Sequence, residues 1–311
     1  MGSGGGRTFH IPKEDLKKEF ERSIDNTKTA AFETTINDEI NDILAEYNDR
    51  DSNTIQEHLN EIQEVIEEDI EGMIDLKFGG SINKYTYVEG LSDVDTLVTL
   101  NNSELSSLSP KDVLNYLKSK LDGKLKNLDN INVGELAVTL NFSNNVKIQI
   151  LPAIKQGDGF KIPKTTKNEW SNLIKPKKFA EKLTQVNKNL NGSVIPVIKI
   201  VKGINSRILK DHPLKSYHIE SIAIEAFKTY PDNKPKTPKA LLKHFFEKAK
   251  DIVKKPIKDN TGQSIHVDEY LKSENSKERS DMSYALNRIY KKMEKADKLR
   301  SVSEWSKILG E

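Results

Sequence analysis

From residue 15 to 47 apolar side chains are scattered through polar sequence with no proline or glycine, which predicts one or two helices. A clearer pattern follows, because Thr54 and Glu57 make a capping box and Ile55, Leu59, Ile62, Ile66 and Ile70 recur at helical spacing. That helix should reach about residue 75, with an isoleucine stripe suited to facing a core. Leu76-Lys77-Phe78 then leads into Gly79-Gly80-Ser81, where missing side chains let the backbone turn tightly and approach a ligand. The period next falls to two. Residues 94–100, 136–142 and 146–151 read as strands, the last two joined as a hairpin across Ser143-Asn144-Asn145. Between them, 111–121 reads as a helix started by Ser109-Pro110.

Past Pro152 the pattern turns helical and lysine-rich, interrupted by Pro163 and Pro176, so a domain transition falls near 155–175. Residues 193–208 and 216–230 read as packed helices, and 280–298 as a closing amphipathic helix. No internal repeat is present. The expected division is a tag-like or disordered leader (1–7, MGSGGGR), N-terminal helices with a strand-rich domain (8–160), and a helical C-terminal domain (161–311). A chain of 311 residues suits two ordinary domains with a cleft between them.

Charge changes this picture little: Lys+Arg 49 nearly balance Asp+Glu 47, which argues against wholesale coating of duplex DNA. Without cysteine there are no disulfides, thiolate chemistry or Cys-based zinc sites, which fits a reducing, cytoplasmic setting. No apolar run approaches the ~20 residues that cross a bilayer.

The candidate chemistry lies in residues 79–100, GGSINKYTYVEGLSDVDTLVTL. Asp93 and Asp95, two apart on a predicted strand, would project from one face. Two such carboxylates can hold Mg²⁺, which takes one or two hard oxygen ligands alongside substrate phosphates and water. An Asp-x-Asp alone is weak, and a loop feature is its ordinary meaning. Here Gly80-Ser81 lies upstream in a predicted turn whose N–H groups and Ser81 hydroxyl can cradle phosphates, with Lys84 and Thr86 spaced to face them. Tyr85 and Tyr87 flank Thr86 and could line the same cleft, although aromatics in extended chain are ordinary.

The order Gly80-Ser81, Lys84, Thr86, Gly90-Leu91-Ser92-Asp93-Val94-Asp95 resembles the signature of DNA polymerase β-type nucleotidyltransferases. Within that superfamily the chain is most similar to the bacterial cGAS/DncV-like nucleotidyltransferases (CD-NTases), relatives of cyclic GMP-AMP synthase and oligoadenylate synthetase that make nucleotide second messengers in anti-phage defence. Lys202-Gly203-Ile204-Asn205 looks like the family's Lys-x-Trp-Asn helix, with Ile204 for the aromatic, and Leu214-Lys215-Ser216-Tyr217-His218-Ile219-Glu220 matches its LKSYHLE-like helix. Asp259-Asn260-Thr261-Gly262 resembles its late DP-x-[GN] turn, with Asn260 for proline. The likeness covers most of 78–299.

The resemblance implies an α+β, two-lobed polymerase β-like fold: a mixed-sheet catalytic lobe, a helical C-terminal lobe, and the active site in the cleft. The first seventy residues lie outside the likeness, and the isoleucine stripe of their N-terminal helices favours packing across the back of the catalytic lobe over serving a partner. The resemblance also implies Asp93 and Asp95 as catalytic Mg²⁺ or Mn²⁺ ligands, with Gly80, Ser81, Lys84, Thr86, Lys202, Ser216 and Tyr217 binding nucleotide, Lys202 on the triphosphate and Tyr217 stacking on a base. The substrates implied are NTPs or dNTPs and the product a cyclic or linear oligonucleotide, read by a downstream effector.

One position departs. The family carries a third carboxylate just before a Val-Pro-Ala, and here Gln149 holds that place in Lys147-Ile148-Gln149-Ile150-Leu151-Pro152-Ala153. An amide is uncharged and its NH₂ cannot ligate Mg²⁺, so the metal site would be one anionic ligand short. Gln149 is then a carboxylate replaced by design, a natural replacement, or a register shifted by one position; the leader favours the first, and Pro152-Ala153 opposes the last. Competing functions are transfer onto an RNA or protein acceptor, and a catalytically silent nucleotide-binding regulator. His218 and His266 read as structural in the absence of zinc-ligand spacing, and Trp170 and Trp305 as core or interface aromatics.

Overall fold

The computed structural model describes residues 13–49, 52–68, 75–78, 84–88, 93–100, 104–164, 168–259 and 266–310. Gly80, Ser81, Gly90-Leu91-Ser92, Ile70 and Asn260-Thr261-Gly262 lie outside the described residues.

The N-terminal segment forms one helix, α1 (Lys13–Asn48), followed by α2 (Ser52–Glu67). The expected extension of α2 to residue 75 is not found: Asp75–Phe78 is strand β1, paired antiparallel with β2 (Val94–Thr99). Helix α3 (Pro110–Leu121) starts where proline fits best, with the Ser109 hydroxyl accepting the Asp112 N–H at 3.4 Å. Strands β3 (Leu128–Val133), β4 (Val138–Phe142), β5 (Lys147–Gln156) and β6 (Gly159–Lys161) complete a sheet ordered β1-β2-β5-β4-β3, with β6 on β5. The sheet is mixed: β2 and β5 run parallel, and β4 pairs antiparallel with both β5 and β3. The β4–β5 hairpin turns through Asn145 at φ 63°, a left-handed position that asparagine tolerates. Strand β3 (LDNINV) is half-exposed with no apolar alternation, which is why periodicity gave no sign of it.

The second half is helical: α4 (Pro176–Asn189), α5 (Val194–Ile208), α6 (Ser216–Phe227), α7 (Pro238–Ile252), α8 (Lys277–Leu299) and α9 (Val302–Leu309). Helix α8 does not close the chain, since Arg300 adopts a left-handed C-cap at φ 47° and α9 follows.

Two main cores form. Ile55, Leu59, Ile62 and Ile66 of α2 join α3 and the apolar residues of β2, β4 and β5 in one. The other gathers α4 to α9 and also Phe32, Ile36, Ile40, Ile43 and Leu44 of α1. Of the two N-terminal helices, then, only α2 backs the sheet, while α1 packs into the helical half. Gly203 on α5 leaves room for Tyr47 of α1, because a Cβ there would crowd the Tyr47 ring and hydroxyl.

Candidate active site

Parallel pairing of β2 and β5 sets Asp95 opposite Gln149 and Val94 opposite Ile148. Val94, Ile148 and Ile150 point into the core, so the intervening positions share the other face. Asp93 lies one residue ahead of β2 rather than within it. The two carboxylates nonetheless share a neighbour, since Gln149 stands opposite Asp95 in the register and bonds to Asp93; partial burial, and then the charge of Asp93, hold the Asp95 carboxyl above its ordinary range. Gln149 Nε2 donates to Asp93 Oδ2 at 2.5 Å, and Lys147 Nζ lies 3.1 Å from Asp93 Oδ1. Gln149 therefore lies on the face of the carboxylates, bonded to Asp93.

Behind the carboxylates a buried polar network joins the sheet lobe to the helical lobe. Glu220 of α6 is fully buried and accepts from Lys84 and, at 2.6 Å, from the Thr86 hydroxyl. Lys202 of α5, also buried, donates to the Thr86 carbonyl at 2.8 Å and lies 3.3 Å from Glu220 Oε1. Burial would push Glu220 up, but the Lys84 and Lys202 charges and the donated hydrogen bonds outweigh it and hold the carboxyl below its usual range. Thr86 and Lys202 are thus committed to this network, whereas Lys84 sits at its edge, its side chain 14% exposed.

Lys84 also faces aromatic rings, with Nζ 5.2 Å from the Phe179 centroid and 5.5 Å from that of Tyr217. Tyr217 is half-buried, tilted on Phe179 at 4.4 Å, and its hydroxyl donates to Asp259 Oδ1 at 2.9 Å. Ser216, exposed, begins α6. The approach to α6 is fixed by Asn205, whose side chain donates to the Leu214 carbonyl at 3.0 Å and accepts the Leu214 N–H at 2.8 Å. The structure therefore brings Asp93, Asp95 and Gln149 together, and Lys84, Thr86, Lys202 and Tyr217 around Glu220 and Phe179.

Tyr85 and Tyr87 turn elsewhere. They line a cavity of about 460 Å³ with Tyr47, Asn48 and Lys199, which none of the carboxylates or Lys84 enters. His218 is structural: its Nδ1 lies 2.7 Å from the Tyr270 hydroxyl, and Asp268, 3.6 Å from its Nε2, is paired with buried Arg279. Trp305 is fully buried in the helical core, and Trp170 donates to the Leu108 carbonyl at 3.0 Å.

Asp93 and Asp95 offer hard oxygens on one rim of the sheet, and a half-buried carboxylate beside a second one is stabilised by a cation, so the donor set fits a divalent metal. Among the described residues no group of three His, Cys, Asp or Glu side chains converges to hold one. Sequence reasoning assigned no role to Glu220, Lys147, Asp259 or Phe179. Glu220 carried a signal, as a charge between Ile219 and Ile222 on an apolar helix has to find partners when buried.

No curated protein matches the sequence. Among solved structures, E. coli MS115-1 CdnC with ATP is 14% identical, covering 92% of this chain and 97% of that one, with a TM-score of 0.63. E. coli DncV bound to 3'-deoxy GTP is 9% identical over 96% and 90%, TM-score 0.63. Vibrio cholerae DncV cyclic AMP-GMP synthase, in complex with the linear intermediate 5' pppA(3',5')pG, is 10% identical over 98% and 90%, TM-score 0.61. At these identities the likeness establishes the two-lobed fold. The sequence itself matches the Second Messenger Oligonucleotide or Dinucleotide Synthetase domain over residues 17–187, more than half its length, and with the carboxylate pair and fold in place the chain belongs to that family, SMODS, of CD-NTase-type nucleotidyltransferases.

Proposed function

We propose that the chain joins NTPs, or dNTPs, into a cyclic or linear oligonucleotide second messenger that a downstream effector reads, in the cytoplasm and in defence against phage. The observation that carries the chemistry is the placement of Asp93 and Asp95 on either side of Gln149 at the rim of β2, beside a cation-rich network spanning both lobes. Among the described residues no helix is long and apolar enough to cross a membrane, which accords with the proposed setting.

In this reading Asp93 and Asp95 would hold Mg²⁺ or Mn²⁺, which would offset the negative charge that builds on the phosphate oxygens and the leaving pyrophosphate. The acceptor hydroxyl oxygen forms a bond to the α-phosphorus, the bond to the bridging oxygen breaks, pyrophosphate leaves with that electron pair, and the hydroxyl proton passes to water. Gly80 and Ser81 take the phosphates, Lys84 reaches them from its place against Phe179 and Tyr217, and Ser216 joins at the head of α6. Lys202 contributes the positive field of the buried network, and Tyr217, its plane fixed by Asp259, stacks on a base.

Gln149 favours a second reading, a silent nucleotide-binding regulator, because an amide cannot supply the charge of a third carboxylate. The test is incubation of the chain, Asp95→Asn and Gln149→Glu with labelled NTPs and dNTPs plus Mg²⁺ or Mn²⁺, with products resolved by mass spectrometry. New phosphodiester products that Asp95→Asn abolishes support the transferase. Silence from the chain and from Gln149→Glu, with nucleotide still bound, supports the regulator; label appearing only on added RNA or protein supports transfer to a macromolecular acceptor.

A further inference from the structure

Strand β5 alternates, and with Ile148 and Ile150 fully buried, Lys147 and Gln149 project together from the opposite face. Because β5 runs parallel to β2 with Val94 opposite Ile148, Lys147 stands level with Asp93. Both oxygens of Asp93 are thereby engaged by one strand: Oδ2 accepts from Gln149 Nε2 at 2.5 Å, and Oδ1 pairs with Lys147 Nζ at 3.1 Å. Asp95 has no such ammonium at hydrogen-bonding distance among the described contacts, its nearest cations, Lys84 and Lys202, being bonded to Glu220.

Charge counting gives this arrangement a meaning. A two-metal site built on three carboxylates carries a net charge of plus one. Two carboxylates, one ammonium and one divalent ion carry the same. Replacing a carboxylate by Gln149 removes one negative charge, and setting Lys147 on Asp93 adds one positive charge. Together the two residues supply the equivalent of a divalent ion without the ion.

Resting on the proposed transferase reading, we propose that Lys147 and Gln149 act as a pair that closes the second metal position, so that the chain works with a single divalent cation. Lys147 is a positioning residue here: its ammonium neutralises Asp93 and repels a second dication from the shared carboxylate. Gln149 holds Asp93 by a neutral hydrogen bond, keeping its remaining lone pairs aimed at the cation it shares with Asp95.

The experiment counts metal rather than product. Mn²⁺ bound per bound nucleotide is measured by electron paramagnetic resonance on the full chain, with an ATP analogue whose α,β-bridge cannot be cleaved. The wild-type chain should hold one Mn²⁺ per nucleotide, Lys147→Met should admit a weak second ion, and Lys147→Met/Gln149→Glu should hold two. Lys147 is 44% exposed, so the single variant keeps the fold even if the double variant fails to refold. Two Mn²⁺ per nucleotide in the wild type, or one in both variants, overturns the inference while leaving the transferase reading standing. Failure to bind the analogue at all overturns the transferase reading itself and the inference with it.

Discussion

Glu220, itself fully buried, takes hydrogen bonds from Lys84, Thr86 and Lys202, and removing it leaves buried polar groups unpaired. Glu220→Ala should lower the unfolding free energy by about 3–5 kcal/mol, read from urea midpoints, with Glu220→Gln losing less because the amide still accepts from Thr86. An unchanged midpoint would mean that the network is open to solvent. Asp95 is the opposite case, because burial and the neighbouring Asp93 disfavour its charged form. In metal-free buffer at neutral pH, Asp95→Asn should raise the melting temperature while abolishing product, the trade expected where a site is tuned for a ligand rather than for folding. Asp93 and Asp95 were legible in the sequence because two residues of spacing fix their relation locally. Glu220 and Lys147 were not, since their partners come from other elements, Lys84 lying 136 positions from Glu220.

Among the elements, α1 departs most from what the sequence suggested. Its scattered apolar residues Phe32, Ile36, Ile40, Ile43 and Leu44 read as an unremarkable helix, yet they sit in the core of the helical half with Leu242, Phe245 and Trp305. Lys239 fastens it there, donating to Glu33 at 2.5 Å and pairing with Asp297 at 2.7 Å. Ile36→Ala and Ile40→Ala, at 0% and 1% exposure, should each cost about 2–5 kcal/mol in chemical denaturation. Toward its N-terminus α1 carries Phe20 at 68% exposure, and Phe20→Ser should change stability by no more than about 0.5 kcal/mol. Equal effects at both places would contradict the burial pattern. Helix α3 was readable from its Ser109 cap and Pro110, and α5 and α6 from their apolar faces, whereas β1 and β3 depend on neighbours for their definition.

The whole molecule registers acid through His218, whose ring is buried among Tyr270, Asp268 and Arg279. Burial lowers its pKa to about 4 from an ordinary 6.5, against the pull of Asp268. Between those values the unfolded chain binds a proton that the folded chain refuses, so stability should fall as pH drops from about 6.5 toward 4, by about 3 kcal/mol over the window. A His218→Gln variant should lose that slope in pH-dependent urea unfolding; a slope equal to wild type would assign it to other groups. By itself the sequence determined that a strand-rich half is followed by a helical one and that two carboxylates two residues apart stand at the start of a strand, because spacing and composition are local facts. Only the tertiary structure decided that α1 joins the helical core, that Glu220 ties Lys84, Thr86 and Lys202 across the lobes, and that Lys147 rests on Asp93. Those contacts arise from strand register and helix packing between residues far apart in the chain, which no periodicity encodes.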